Sequence, residues 1–228
     1  MAKNRIHLYN AASSRAIDND ATAPIAQGGL GITGYDLMTR AAAYAVASFC
    51  ERWPDAPGFS LFCGKGNNAG DGYVMAQMAK QLGLDVQIFA AVDPSLLTGD
   101  AHRAYHECLA NGLLIEDLGA PIRHLIIVDA LLGTGFYPPV REDIASAISR
   151  INAHTGDILS LDLPSGVSAD RGVWGGRSDE HVRASLTVSF ITRKVGLHTG
   201  AGIAARGALL VADLGVPAAI FARYPSIS

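Results

Sequence analysis

Beyond residue 55 the chain alternates short apolar runs with helical segments, and that rhythm constrains its fold more than any other feature. The β-rich runs are Phe59–Cys63, Val86–Ala91, Leu125–Ala130, Ile158–Leu163, Leu186–Phe190 and Ala208–Ala212. Helical patterns at Asp71–Leu82, Gly99–Ala110 and Arg141–Ala153 separate several of them. Several runs are apolar throughout rather than at every second residue, as in strands covered on both faces of a parallel sheet. Strand, helix, strand at this spacing predicts a doubly wound α/β sandwich. The first 55 residues read as a helical lead-in. Ala11–Ala23 is one helix, stopped by Pro24, and Tyr35–Trp53 is the other, with Leu37, Met38, Ala41, Ala45, Val46 and Phe49 at helical spacing.

No repeat, low-complexity tract or linker divides the 228 residues, so they read as a single domain, lead-in 1–55 and sandwich 56–228. Hydrophobic residues make up 49% and charged residues 17%, a globular composition. The net charge of −3 with scattered Lys and Arg lacks the basic footprint that nucleic acid or anionic membrane needs. Apolar runs end after about 8 residues where a membrane span takes about 20. The start, Met1 to Asp20, lacks an apolar signal core and carries Asp18 and Asp20, unlike a transit peptide. Cys50, Cys63 and Cys108 have no disulfide or zinc spacing. A soluble cytoplasmic protein with packed, reduced thiols is the expectation.

Ligands of doubly wound sheets bind beyond the carboxyl ends of the strands, so the residues there carry the functional reading. The first strand runs into Gly64-Lys65-Gly66-Asn67-Asn68-Ala69-Gly70-Asp71-Gly72 and then a helix. Such a turn presents amides at a helix N-terminus and suits phosphate or diphosphate. Its glycine spacing fits neither the dinucleotide fingerprint nor a Walker A loop. Asp129 closes the third run ahead of Gly133-Thr134-Gly135, a second set of close-approaching amides, with Pro138 and Pro139 stiffening the exit. Asp162 closes the fourth, ahead of Pro164-Ser165-Gly166. Two strand-end carboxylates and an Asn pair could meet a cation or a proton, and spacing alone leaves both open. Arg193 and Lys194 follow the fifth run, with His198, the one histidine near the expected mouth. Ser165 has no evident base, which removes a serine-hydrolase reading.

Together the glycine-asparagine loop, Val128 to Gly135, Asp162-Leu163-Pro164-Ser165-Gly166 and Lys194-Val195-Gly196-Leu197 resemble the YjeF N-terminal domain, the NAD(P)H-hydrate epimerase family. Leu37-Met38 and Arg40-Ala41 resemble its helical lead-in, and Gly207 to Pro217 its closing strand, so the resemblance runs along essentially the whole chain. It implies a Rossmann-like three-layer α/β/α sandwich with a mainly parallel sheet. It also implies interconversion of the R and S forms of NADHX and NADPHX, cofactors hydrated at C6 of the nicotinamide ring. By resemblance Asn67, Asn68, Ala69, Gly70 and Asp71 cradle the substrate phosphates, joined by Gly133, Thr134, Gly135, Phe136, Tyr137, Pro138 and Pro139. Asn68, Asp129 and Ser165 would hold a potassium ion. Asp162 would contact substrate as the general acid/base, and Lys194 would polarise or pair with the reacting end. Whether inversion loses and regains water or opens the ring stays open.

Thr39 stands where the family often has glutamate, Ala42 where it often has glycine, and Arg193 where it often has proline; none is a predicted ligand. The resemblance further implies an ATP- or ADP-dependent dehydratase partner, fused or separate, and a possible homodimer. Two other readings compete. A catalytically inactive nucleotide- or protein-binding module would predict eroded Asp and Asn positions or basic appendages. A nicotinamide-dependent oxidoreductase would want G-x-G-x-x-G and an acidic ribose partner about 20 residues on. Asp93 lies 29 residues beyond Gly64.

Overall fold

The computed structural model describes residues 6–173 and 180–227. Its strands are β1 (Gly58–Cys63), β2 (Asp85–Ala90), β3 (Ile115–Glu116), β4 (Ile127–Ala130), β5 (Ile158–Leu161), β6 (Val167–Ser168), β7 (Gly172–Val173), β8 (Leu186–Phe190) and β9 (Ala208–Ala212). Seven of them form a sheet in the order β3-β2-β1-β4-β5-β8-β9, all parallel, while β6 and β7 pair as a small antiparallel hairpin. The helices are α1 (Ala11–Thr22), α2 (Gly34–Arg52), α3 (Asn67–Gln81), α4 (Gly99–Ala110), α5 (Glu142–Asn152), α6 (Gly200–Ala205) and α7 (Ala218–Phe221). Among the described residues no helix is long and apolar enough to cross a membrane.

The predicted α/β/α layers are present. On one face Leu61, Ile88, Val128, Leu159 and Val188 pack with α2, α3 and α4 residues such as Phe49, Tyr73 and Ala104. On the other, Phe62, Phe89, Ile127 and Ile158 meet Ile144, Ala147, Ile148 and Ile151 of α5. Strand side chains alternate between faces, so Asp129 shares the α5 face with Ile127. The chain steps outward from β1 to β3, then returns to place β4 beside β1. That reversal opens a crevice beyond the carboxyl ends of β1 and β4.

Boundaries differ from the sequence expectations for local reasons. Leu125 is 75% exposed and stays outside β4. β5 stops at Leu161 because Asp162 turns the chain with φ +63. α3 begins at Asn67 rather than Asp71, which moves the Asn pair from the loop into the first helical turn. β3 and the hairpin strands, two residues each, are too short to register as a pattern. Asp93, weighed above as a ribose partner, instead caps a 3-10 turn by accepting from Ser95 N at 2.9 Å.

Candidate active site

A cavity of about 930 Å³ occupies the crevice, lined by the ends of β1, β4, β5 and β8 and roofed in part by α1 and α2. Gly64 lets the β1 and β4 exits touch, since a Cβ there would sit 2.1 Å from the Leu131 carbonyl oxygen. α3 starts at this point without a side-chain cap. Gly66 O accepts from Ala69 N and Gly70 N at 3.0 and 3.3 Å. The amides of Asn67 and Asn68 meet no acceptor among the described residues. Free first-turn amides on a 15-residue helix favour an anion.

Asp162 and Lys194 come together as a buried ion pair, a contact the sequence reading did not foresee. Lys194 Nζ donates to Asp162 Oδ1 at 2.5 Å, to Phe190 O at 2.5 Å and to Ser189 Oγ at 3.1 Å. Only 2% of Lys194 is exposed. Asp162 Oδ2 accepts from Thr134 N at 2.8 Å and Thr134 Oγ1 at 2.7 Å. Burial would raise the Asp162 carboxyl, but the Lys194 charge and the donated hydrogen bonds outweigh it and hold the group below its ordinary range. Asp162 is therefore a carboxylate, held in the left-handed region that non-glycine residues adopt at a cost and mostly at functional sites. Thr134 N is spent on this contact, so the second amide set expected at Gly133 to Gly135 is only partly free.

The remaining candidates divide. Asn67, Asn68, Asp71, Gly133, Thr134, Gly135 and Phe136 line the cavity. Ala69 and Gly70 are buried beneath the helix turn, with Gly70 against Met38. Tyr137 is 83% exposed and, with Pro138 and Pro139, lies off the cavity wall. Arg193 and His198 are also off the wall. His198 is held below its usual range by burial and by Arg206 and Arg193.

Asn68, Ser165 and Asp129 are linked in one chain of hydrogen bonds through Leu132. Asn68 Nδ2 donates to Leu132 O at 3.0 Å, Leu132 N donates to Ser165 Oγ at 2.9 Å, and Ser165 Oγ donates to Asp129 Oδ1 at 2.6 Å. Asp129 also accepts from Ser160 Oγ, Ser165 N and Leu131 N, so its fully buried carboxylate braces β4 against β5 from behind the cavity. Asn68 Oδ1 is buried with no partner. The orphaned Asn68 Oδ1, with the Leu132 carbonyl and the Ser165 hydroxyl beside it, is oxygen chemistry that fits a large monovalent cation, and Asp129, whose oxygens are already taken by four donors, would add its negative charge from behind.

The structure adds α1, which sequence reasoning left aside. Ser14, Arg15, Asp18, Asn19 and Thr22 all line the cavity. Their spacing is a polar stripe on one helix face, a signal readable in the sequence. α1 is tied down beside Lys194. Tyr9 N donates to Arg193 O at 2.8 Å, Val195 N donates to Tyr9 O at 3.0 Å, and Ser14 Oγ bonds Thr192 Oγ1 at 2.6 Å. Asp18 and Asp71 are both raised, chiefly by burial and then by the Asp162 charge, with Lys194 opposing. Arg15, Lys65 and Arg141 bring positive charge to the same cavity from three separate elements.

Residues 34–196 match the family model described as YjeF-related protein N-terminus. The bifunctional NAD(P)H-hydrate repair enzyme Nnr of Coxiella burnetii is 39% identical over 193 residues, covering 84% of this chain and 39% of that protein. An NAD(P)H-hydrate epimerase of Legionella pneumophila is 32% identical over 204 residues, covering 84% of this chain and 73% of that protein. The crystal structure of yeast ynu0, YNL200c, superimposes with a TM-score of 0.76 over 93% of this chain and 91% of that one, at 24% identity. That likeness shows the fold. The chain spans about two fifths of the length of the bifunctional relative.

Proposed function

Because the chain belongs to the YjeF-related N-terminal family, we propose that it is an epimerase interconverting the R and S forms of NADHX and NADPHX. The observation that carries this reading is one cavity holding a free helix N-terminus and a buried Asp162–Lys194 pair. The α3 amides at Asn67 and Asn68 would take the substrate diphosphate, with Arg15, Lys65 and Arg141 available for its charge. That leaves the nicotinamide end for Asp162 and Lys194.

C6 of the substrate bears a hydroxyl next to a ring nitrogen, so opening that centre develops positive charge. The fixed Asp162 carboxylate faces that charge and accepts a proton, in a site where Lys194 and Thr134 have oriented it beforehand. Asp162 rests as the base of the pair, because a carboxyl held below its ordinary pKa is deprotonated near neutral pH. Lys194 positions Asp162 and keeps it charged. No redox cofactor enters the balance of an inversion.

Potassium belongs to the same proposal, held by Asn68, Ser165 and the Leu132 carbonyl with Asp129 behind them. When bound, it supplies positive charge that offsets Asp129 and steadies the loop into Gly133. The S form would be consumed by an ATP- or ADP-dependent dehydratase, fused or separate.

Purified R-NADHX is incubated with the protein in potassium or sodium salt, and the S form is followed by chromatography against the spontaneous rate. Turnover above background that is lost in Asp162→Asn, assayed below that variant's melting temperature so that it is folded, supports the assignment. A folded protein that binds the dinucleotide without accelerating inversion points to a binding module instead.

A further inference from the structure

Asp162 cannot by itself complete the proton balance of the inversion. A carboxylate offers about four lone-pair sites. Here both Thr134 donors hold Oδ2 at 2.8 and 2.7 Å and Lys194 Nζ holds Oδ1 at 2.5 Å, while Phe190 N only approaches Oδ1, at 3.5 Å, so Oδ1 keeps one site that can accept a proton. The departing hydroxyl still needs a proton from another group. Asp18 is a free carboxyl on the same cavity, since its side chain makes no hydrogen bond or ion pair among the described residues. It lines this cavity together with Asp162 and Lys194. Its position is imposed rather than incidental: the Tyr9 bridge and the Ser14–Thr192 bond fasten α1 next to Lys194, and buried Ile17 locks the helix rotation. Asp18 also precedes residues 34–196, the segment the family model matches.

We propose that Asp18 is a second catalytic residue, the general acid of the inversion. The inference rests on the epimerase reading. In the forward step the Asp18 proton passes to the C6 hydroxyl, the C6–O bond breaks, water leaves and the N1 lone pair forms a C6=N1 cation. Water then adds to C6 from the other face, the N1 pair returns to nitrogen, and the water's proton goes to Asp162. Solvent in the cavity carries that proton back to Asp18, and the reverse reaction exchanges the two roles. The same cavity carries Asp71 from α3, Asp162 and Lys194 from the strand ends, Arg15 from the helix of Asp18, and Asp100, Lys65 and Arg141. Burial favours a proton on Asp18, the Asp162 charge adds to that, and Lys194 opposes.

The test measures kcat and KM for NADHX inversion in wild type, Asp18→Asn, Asp18→Glu and Asp71→Asn, with melting temperatures alongside. Asp18→Asn is expected to lower kcat by about 100-fold or more, to change KM little and to melt no lower than wild type. Asp18→Glu restores part of kcat, and Asp71→Asn acts mainly on KM. Wild-type kcat falls as pH rises, because the acid must be protonated, and that limb disappears in Asp18→Asn. Wild-type kcat in Asp18→Asn overturns the proposal, as does a kcat loss confined to Asp71→Asn. Absence of any inversion by the wild-type protein instead removes the epimerase reading beneath it.

Discussion

At the residue scale the buried pair is the most exposed to test, because each partner is stable only in the other's presence. An Asn at position 162 keeps the shape, which from sequence alone promises intact folding. The structure predicts otherwise. Lys194 would be left as a buried ammonium without its counter-charge, a loss of about 3–5 kcal/mol. A thermal melt should show this, at about 2–4 °C per kcal/mol for a chain of this size. Asp162→Asn combined with Lys194→Met should recover much of the stability and none of the activity. If the double variant melts no higher than the single one, charge burial is not the cause.

The carboxyls of the cavity also predict opposite pH behaviour. Asp162 has a lowered folded-state pKa, so its stabilisation is present above 3.8 and is lost as pH falls through the folded value. Asp71 is raised, so its contribution is full below 3.8 and is lost as pH rises. Asp71→Asn should therefore stabilise the protein at pH 7, by about 2–4 °C for each kcal/mol relieved, with the gain shrinking as pH falls toward 4. A gain that is constant with pH would exclude the ionisation cost as its origin.

At the element scale, β1, α3 and the β4 exit form one unit whose geometry depends on missing side chains. Gly64 admits the Leu131 carbonyl, and Gly72 sits over Ala130, where a Cβ would lie 2.8 Å from that residue's Cβ. Gly64→Ala forces backbone apart, so a loss of about 3 kcal/mol is expected, at the upper end of overpacking costs. The urea midpoint would report it with an unchanged slope. The same displacement should weaken diphosphate binding, since it moves the first turn of α3. α1 carries the complementary lesson. Its apolar side, Ile17 and Ala21, packs inward while Ser14 and Asp18 face the cavity, so one short helix serves both core and site.

At the scale of the whole molecule, the sheet order decides what meets. β4 returns to β1, so a loop near residue 66 and one near residue 133 share a crevice, with residues 162 and 194 joining from the next strands. Anything bound there ties together separate parts of the chain and stabilises the whole fold. A ligand at about 100 times its Kd adds about 2.7 kcal/mol, about 5–11 °C in melting temperature. Potassium at such excess should therefore raise the melting temperature where sodium does not, and Asn68→Ala should abolish the difference. Equal melts in the two salts would remove Asn68, Asp129 and Ser165 as a potassium site.

The sequence by itself determined the class of fold and where in it a candidate site would lie. Apolar strands separated by helical periods allow few arrangements other than a covered parallel sheet, and strand ends are where its ligands go. The Asn67-Asn68 turn, Asp129, Asp162 and Lys194 all stood at those ends and were legible for that reason. Local pattern could not show that Lys194 is buried while its neighbour Arg193 is not on the cavity, or that Thr134 N is spent on Asp162. Nor could it assign roles to the carboxyls, because a carboxyl's proton is set by neighbours distant in the chain. Asp18 and Asp162 are the same residue type, 144 positions apart. Only the tertiary structure gives one of them a lysine and leaves the other free.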